Sequence, residues 1–552
     1  MQKKPQPNII YICADQLAAK FLNCYGGRVD STPVLQSLAQ EGSYFTRYYA
    51  THPVCAPNRA TMLTGRSAEI HGITINNLAL STGIPSYAHV LSTHGYRTGG
   101  FGKFHQTPMN RPVPTDLSWL GFDESVVSED PKWGPYIDWV KEKYPQHYTA
   151  ALAMTNGHSG EQFTDRDVDL KQGASAEQAA LKNAVYPEVM GSRIAESDWE
   201  RCYVSPLPAE AHDASFITEM GLDFIKRAGE NDDSFFCHIS YVDPHDPYDP
   251  PEPYASMFNP DDMPDPLPAE WRKRSLVTLE NNYNTGYLNY KRIADNPQAV
   301  KKFRSLYHGS LKFLDDQIGR IVTCLKSSGL WKDTILVFSS DHGELLGDHD
   351  LISKGEPHYD GCIRIPLIVA GGAVTRQGEV DQLCSTLDLF PTFCEWAGIP
   401  GEELPPLEGV SIAGLSTPET DDTQLSKQLL ERREIAVSID TAESIITREG
   451  WRLTRFNDTG EGQLFNLKED PDEQHDLYDD PSVIDIKLEL LERLIKVRNK
   501  VSRVPNYRNI SVWNGEKQMR HGLDEPRSIR VYKTGESPWL TDTAEKYQWK
   551  GK

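Results

Sequence analysis

No apolar run in the 552-residue sequence approaches the roughly 20 residues needed to cross a bilayer, which excludes a helical membrane span. There is no internal repeat and no low-complexity tract, so solenoid and fibrous architectures have no support. The nine cysteines are scattered, without metal-type or disulfide-framework spacing, and their odd number leaves at least one unpaired in any scheme. Positive charge is in deficit. The 57 Lys and Arg against 79 Asp and Glu give a formal net charge of −22, which argues against nucleic acid as a partner and obliges any anionic substrate to find a local basic pocket. The N-terminus, Met1-Gln2-Lys3-Lys4-Pro5-Gln6-Pro7, runs into a strand without the apolar core of a signal peptide. A cytoplasmic protein is expected, or a periplasmic or secreted one if a leader has been removed.

What is present is enough chain for one large domain and a smaller partner. The runs Asn8–Cys13, Phe235–Ser240 and Thr334–Ser339 have the pattern of strands buried on both faces of a parallel sheet. Each leads into polar, ligand-type residues: Asp15 and Gln16, Asp243 to His245, and Asp341 to Gly343. Ligands of open α/β sheets bind beyond the carboxyl ends of strands, so the three ends could converge on one site. Phe303 to Leu325 has helical periodicity, with Leu306, Leu311, Leu314 and Ile318 inward. From about residue 425 short strands (434–439, 444–447, 451–454, 463–465) punctuated by Gly450 and Gly460 precede a helix with Ile486, Leu490, Leu491, Leu494 and Ile495, the pattern of a small antiparallel sheet with one helix on it. The expected fold is therefore α/β, a large mostly parallel sheet flanked by helices (1–424), with a C-terminal α+β subdomain (425–500) and a tail (501–552) packed on the surface. Residues 107–210, rich in Pro, Trp, Tyr and acidic groups with little periodicity, are expected as an insertion of loops over the site; Trp119, Trp133, Tyr136 and Trp139 there fit packing better than a sugar or aryl subsite.

The chemistry concentrates in short motifs. Cys55-Ala56-Pro57-Asn58-Arg59 is followed by Thr64-Gly65-Arg66. A lone cysteine is ordinarily inert packing, because only the thiolate reacts. Here Pro57 suits the first turn of a helix and Arg59 supplies a permanent fork of donors. Asp15, Gln16, Asp341 and His342 offer carboxylate, amide and imidazole groups able to hold one divalent ion; oxygen donors favour a hard cation, and the imidazole admits manganese. In Gly102-Lys103-Phe104-His105 the two reactive side chains are two apart, so on an extended segment they point the same way. Taken singly, Lys103 reads as a solvated surface lysine and His105 as a core histidine. Pro244-His245-Asp246-Pro247-Tyr248, Lys354 and the pair Asn76-Asn77 complete the candidates.

Together these motifs resemble the type I, formylglycine-dependent sulfatases of the alkaline phosphatase-like superfamily. The Cys55 stretch matches the signature Cys-x-Pro-x-Arg, with Asn58 where the family most often has Ser. Ser340 to Glu344 matches Ser-Asp-His-Gly-Glu, Gly102 to His105 matches Gly-Lys-Trp-His with Phe for Trp, and residues 245–248 match His-x-Pro-Tyr. Leu464 to Glu473 resembles a C-terminal turn motif of the family. The resemblance covers roughly residues 8–105, 235–250, 303–400 and the C-terminal stretch. It implies an alkaline phosphatase-like fold and the oxidation of Cys55 to formylglycine by a formylglycine-generating enzyme, the hydrated aldehyde being the nucleophile. It assigns Asp15, Gln16, Asp341 and His342 to one divalent ion, calcium first and manganese second. Arg59, Lys103 and Lys354 would bind and neutralise the sulfuryl oxygens, His105 would take a proton from residue 55, His245 or Lys354 would protonate the leaving oxygen, and Asn77 would lie near the substrate. The implied reaction is hydrolysis of a sulfate ester, with a sulfated carbohydrate as substrate. The alternatives are a phosphonate monoester hydrolase or phosphodiesterase of the same superfamily, and a catalytically silent anion-binding protein if Cys55 stays unmodified.

Overall fold

The structure, a computed structural model, describes residues 6–108, 116–155, 173–195, 201–231, 234–285, 295–374, 377–416 and 431–503; the expected surface tail lies, beyond Arg503, outside the described residues. Its centre is the first strand, β1 (Asn8–Ala14). Ile10, Ile12 and Ala14 enter one hydrophobic cluster, while Ile9, Tyr11 and Cys13 enter another on the opposite face. Burial on both faces is why its sequence is an unbroken apolar run.

Among the described residues nine further strands follow before the C-terminal region: β2 (Ser43–Phe45), β3 (Tyr48–Tyr49), β4 (Arg97–Gly102), β5 (Glu124–Val127), β6 (Phe235–Ser240), β7 (Thr334–Ser340), β8 (Leu367–Ala370), β9 (Gly378–Val380) and β10 (Cys384–Ser385). Eight of the ten form one sheet in the order β5-β4-β6-β1-β7-β8-β2-β9, and β3 pairs with β10. The run from β5 to β7 is wholly parallel, and β8 alone opposes its neighbours. In register, Cys13 of β1 stands beside Ser240 of β6 and Ser339 of β7, which puts the polar ends of three sequence-distant strands at one level. Helices Pro33–Glu41, Asp213–Glu230 and Pro297–Ser327 cover one face, and Cys55–Thr64, Tyr87–Thr93 and Leu389–Trp396 the other. The long helix Pro297–Ser327 buries Leu306, Leu311, Leu314 and Ile318 as its periodicity requires.

The stretch 107–210 departs from the loops expected of it. Its described parts contain β5, an edge strand of the main sheet, and helices Pro135–Lys143, Tyr148–Met154 and Ala176–Ala195. β5 is too short to show a period, and Pro187 interrupts the pattern of the longest helix. Trp133 and Tyr136 are buried in the core cluster, and Trp139 and Tyr136 pack against Phe216, so these rings serve packing.

A second sheet, antiparallel, comprises β11 (Glu434–Ile439), β12 (Ala442–Thr447), β13 (Trp451–Phe456) and β14 (Gly462–Asn466) in sequential order. The helix Ile484–Arg503 packs Leu490 and Leu494 on Ile445, Leu453 and Leu464, leaving Ile495 exposed. Glu473, in the turn motif after β14, accepts from the Asp360 N–H at 2.7 Å and pairs with the buried Arg452 at 2.8 Å, fastening the small sheet to the loop that follows Lys354.

Candidate active site

Because β4, β6, β1 and β7 are adjacent and parallel, their carboxyl ends deliver Lys103, His245, Asp15 with Gln16, and Asp341 with His342 to one edge of the sheet. Cys55 reaches the same place as the first residue of helix Cys55–Thr64, where backbone N–H groups lack intrahelical partners and the helix dipole is positive. Its sulfur is buried, 2.9 Å from Lys354 Nζ, 3.2 Å from His342 Nε2 and 3.9 Å from Asp15 Oδ1. Burial alone would raise the thiol pKa, but the Lys354 and Lys103 ammoniums, with His342 and His105, hold it well below the ordinary thiol value. So placed, the sulfur is not inert packing.

Arg59, one turn along the same helix, spends its donors on the site's framework. Nε donates to Asp341 Oδ2 (2.8 Å), Nη2 to Asp15 Oδ2 (3.1 Å), and Nη1 to both the Lys103 carbonyl and Ser240 Oγ (2.8 Å each). A guanidinium so engaged ties β1, β4, β6 and β7 together. Asn58, at the position that departs from the family pattern, donates through Nδ2 to the Asp341 carbonyl and accepts from Thr386 Oγ1 at 2.8 Å, which pins the helix to the end of β7.

Asp15, Cys55, Asp341 and His342 each offer a ligand atom, all within 4.8 Å of one another and all buried. His342 Nδ1 donates to the Gly343 carbonyl at 3.0 Å, which orients the ring so that Nε2 faces Asp15 and Asp341, the nitrogen a metal would take. The turn is tight enough that a Cβ on Gly343 would stand 2.1 Å from the Gly361 carbonyl oxygen. Burial and the Cys55 thiolate push the Asp15 pKa up, but Lys103, His245 and Arg59 bring it below the usual carboxylate value. Gln16 adopts a left-handed backbone (φ 63°), held by its N–H on Asp341 Oδ1 (3.1 Å) and by Tyr307 Oη on its carbonyl (2.8 Å). Its amide oxygen accepts from Lys354 Nζ (2.7 Å), and its Nε2 donates to Glu344 (2.6 Å) and Asp246 (3.3 Å).

Lys103 is fully buried, with Nζ 2.6 Å from Asp15 Oδ2 and in contact with Asp130, so the surface-lysine reading fails; these carboxylates outweigh burial and hold its pKa up. The extended segment expected for 103–105 is not formed. β4 stops at Gly102 (φ 98°), where a Cβ would lie 1.9 Å from the Ser240 carbonyl oxygen. The chain then curls round Glu129, whose Oε1 accepts the N–H groups of Phe104 (3.1 Å) and His105 (2.9 Å), with His105 at φ 52°. The His105 ring still borders the thiol, with both nitrogens buried and without a hydrogen-bond partner of ordinary geometry.

Lys354 donates to Gln16, to Cys55 and, at 2.9 Å, to His245 Nε2; His245 Nδ1 in turn donates to the Asp246 carbonyl at 2.6 Å. Burial and Lys354 depress the His245 pKa, Asp246 and Asp15 raise it, and the net direction is up. Asn77 is exposed at φ 68°; the residue joined to the nucleophile's helix is its neighbour Asn76, which accepts the Ala56 N–H at 3.1 Å. Sequence reasoning missed Glu129 and Asp130, although two carboxylates directly after a strand repeat the pattern seen at β1 and β7. Asp246 and Glu344 stood inside motifs singled out in the sequence but were given no role there, and Arg201, which pairs with Asp246, was missed; nothing near Arg201 in the sequence marks it.

Comparison with known proteins places this geometry. The family model described as Sulfatase matches residues 7–399, and a model of the N-sulphoglucosamine sulphohydrolase C-terminal region matches residues 347–500. An arylsulfatase of Clostridium perfringens is 27% identical over 493 residues, covering 85% of this chain and 89% of its own. An N-acetylglucosamine-6-O-sulfatase of Bacteroides thetaiotaomicron is 23% identical over 561 residues, covering 94% and 91%. Among solved structures, a phosphonate monoester hydrolase from Silicibacter pomeroyi superposes with a TM-score of 0.69 at 21% identity, covering 90% of this chain and 96% of its own.

Proposed function

Since this chain belongs to the sulfatase family, a family of hydrolases, we propose that it cleaves the sulfate ester of a sulfated carbohydrate, with residue 55 as nucleophile after its cysteine is converted to formylglycine by a maturation enzyme. The observation that carries this reading is the placement of Cys55 Sγ at a helix N-terminus, within 2.9–3.9 Å of Lys354, His342 and Asp15. The relative named N-acetylglucosamine-6-O-sulfatase supports a carbohydrate as the alcohol part.

Asp15, Asp341 and His342 suit a hard divalent ion with some tolerance for imidazole, calcium first and manganese second, and Gln16 joins the set through its amide oxygen. Such an ion supplies Lewis-acid polarisation of the sulfuryl oxygens and of the nucleophilic oxygen. Lys103 and Lys354, both held protonated beside residue 55, neutralise the oxygens that repel an incoming nucleophile, and the helix N-terminus adds its positive end. Arg59 acts chiefly through Asp15 and Asp341, holding both carboxylates oriented. His245, hydrogen-bonded to Lys354, protonates the leaving oxygen, alone or with that lysine; His105 accepts the proton of residue 55. Asn77 contributes a substrate contact from the exposed rim. We assign residues 1–424 to the catalytic domain and 425–500 to a subdomain that supports the Lys354 loop. Among the described residues no helix is long and apolar enough to cross a membrane.

A second reading, a phosphonate monoester hydrolase or phosphodiesterase, is favoured by the structural likeness to the Silicibacter pomeroyi enzyme. Ion chromatography of sulfate released from sulfated mono-, di- and polysaccharides, beside a phosphodiester control and with protein matured by a formylglycine-generating enzyme, separates the two. Sulfate release from one glycan supports the first reading; phosphodiester cleavage alone overturns it in favour of the second. Mass analysis of the Cys55 peptide tests a third state, a silent anion binder with the thiol intact.

A further inference from the structure

Lys103 and His105 leave β4 where the sheet no longer holds the chain. Gly102 (φ 98°) ends the strand, and His105 takes a left-handed backbone (φ 52°) that a residue with a Cβ keeps only when its surroundings impose it. The restraint comes from the neighbouring edge strand. β5 stays in step with β4 as far as the Ser128 N–H, which donates to the Gly102 carbonyl at 3.1 Å, and Glu129 then opens a turn closed by the Lys132 N–H on its carbonyl at 2.8 Å. The two carboxylates of this turn reach back to residues 103–105. Asp130 contacts Lys103 Nζ, and Glu129 Oε1 accepts the N–H groups of Phe104 (3.1 Å) and His105 (2.9 Å). Successive N–H groups converging on one oxygen form the concave arrangement that binds anionic groups, and here its occupant is a side chain of the same protein. Glu129 is 6% exposed, and its Oε2 is buried and takes no hydrogen bond among the described residues. The His105 ring offers no comparable anchor: among the described residues neither of its nitrogens has a partner of ordinary geometry, so its place beside residue 55 is set from the backbone side.

We propose that Glu129 is a positioning residue for the hydrolysis, holding the Phe104–His105 backbone so that the His105 imidazole faces residue 55. It works by two hydrogen bonds and not by its charge, and it acts through His105: Lys103 keeps Asp15 at 2.6 Å, and Asp130, whatever stands at 129. The part played by His105 rests on the sulfate-ester reading, whereas the hold on the backbone rests on the geometry of the turn.

The test compares Glu129→Gln and Glu129→Ala in the full chain, with activity expressed per chain converted at residue 55. Glu129→Leu, of similar volume and also without an acceptor, replaces Glu129→Ala if that variant does not fold. Amide hydrogen exchange across residues 101–106 reads the hold directly. Exchange at Phe104 and His105 should be slow in wild type and in Glu129→Gln, whose amide oxygen can accept the same two N–H groups, and at least about tenfold faster in Glu129→Ala. Equal exchange in all three overturns the proposal whether or not any ester is cleaved. With whichever ester the wild type hydrolyses, Glu129→Ala should lower kcat about 100-fold at unchanged KM, the cost of displacing a reacting group by an ångström. Glu129→Gln should stay within about fivefold of wild type. Equal loss in both variants assigns the charge as the working feature and overturns the proposal, as does a raised KM, which would place the damage at Lys103. In a His105→Ala background, Glu129→Ala should lower kcat by less than about twofold more, and full additivity overturns action through His105. Phosphodiester cleavage in place of sulfate release would reject the sulfate-ester reading and leave Glu129 in its role.

Discussion

Replacing Arg59 by Met tests the idea that a guanidinium, not packing, holds the ligand carboxylates before an ion arrives. Arg59 is 2% exposed, and its Asp15 and Asp341 partners are fully buried, so none of the three charges can turn to solvent. Without it Asp15 keeps Lys103 at 2.6 Å, and Asp341 keeps the N–H groups of Gln16 and His342 at 3.1 and 2.9 Å. Neither carboxylate is stranded completely, so the cost falls within the about 3–5 kcal/mol typical of breaking a buried ion pair. For a chain of 552 residues the entropy of unfolding is roughly 1.2 kcal/mol per kelvin, so the melting temperature should drop by about 3–4 °C. Scanning calorimetry of chelator-treated protein measures this directly. Adding a divalent ion should narrow the gap between variant and wild type, because the ion restores positive charge between the same two carboxylates. Arg59→Lys should recover only part of the loss, since a point charge cannot span four acceptors. A metal-free Arg59→Met protein melting within about 1 °C of wild type, or a gap unmoved by the ion, would refute the reasoning.

Other consequences are equally direct. Cys55→Ser should abolish sulfate release with an unchanged circular dichroism spectrum; retained turnover excludes a modified residue 55 as nucleophile. Asp341→Ala should lose bound metal by elemental analysis, and unchanged content removes Asp341 from the ligand set. Gly102→Ala combines a left-handed backbone with a Cβ 1.9 Å from the Ser240 oxygen, so a loss of about 2–6 kcal/mol in denaturant unfolding is expected, the sum of backbone-strain and overpacking costs. Asp249 is buried beside Lys132 at 3.9 Å, with Asp213 and Asp246 also near, and burial lifts its pKa from 3.8 to about 6. A carboxyl raised in the folded state binds more protons there than in the unfolded chain, so it contributes stability below pH 4 that is lost as pH rises through about 6. The shift corresponds to about 3 kcal/mol at most. Asp249→Asn should therefore flatten the fall in melting temperature between about pH 4 and 6, and an identical pH profile would remove Asp249 as its source.

The strands that carry the site were legible where burial on both faces imposes a continuous apolar run, as in β1, β6 and β7, and the C-terminal sheet was legible from its alternation and its glycine-marked turns. β4 was not, because Gly99, Gly100 and Gly102 give it almost no strand propensity; its stability comes from pairing between β5 and β6. The curl after Gly102 was likewise hidden, since it depends on Glu129 arriving from the end of β5.

By itself the sequence determined which groups could do chemistry here: a cysteine at a helix start, carboxylates and imidazoles at strand ends, and lysines able to neutralise an anion. Local physics suffices for this, because a doubly buried strand must be apolar until it leaves the sheet, and the first turn of a helix has its own residue preferences. The tertiary structure alone decided that these groups meet, that Arg59 spends its donors on two carboxylates, and that Lys103 lies buried between Asp15 and Asp130. Strand order, register and the sign of a local field are properties of residues hundreds of positions apart, and no local pattern encodes them.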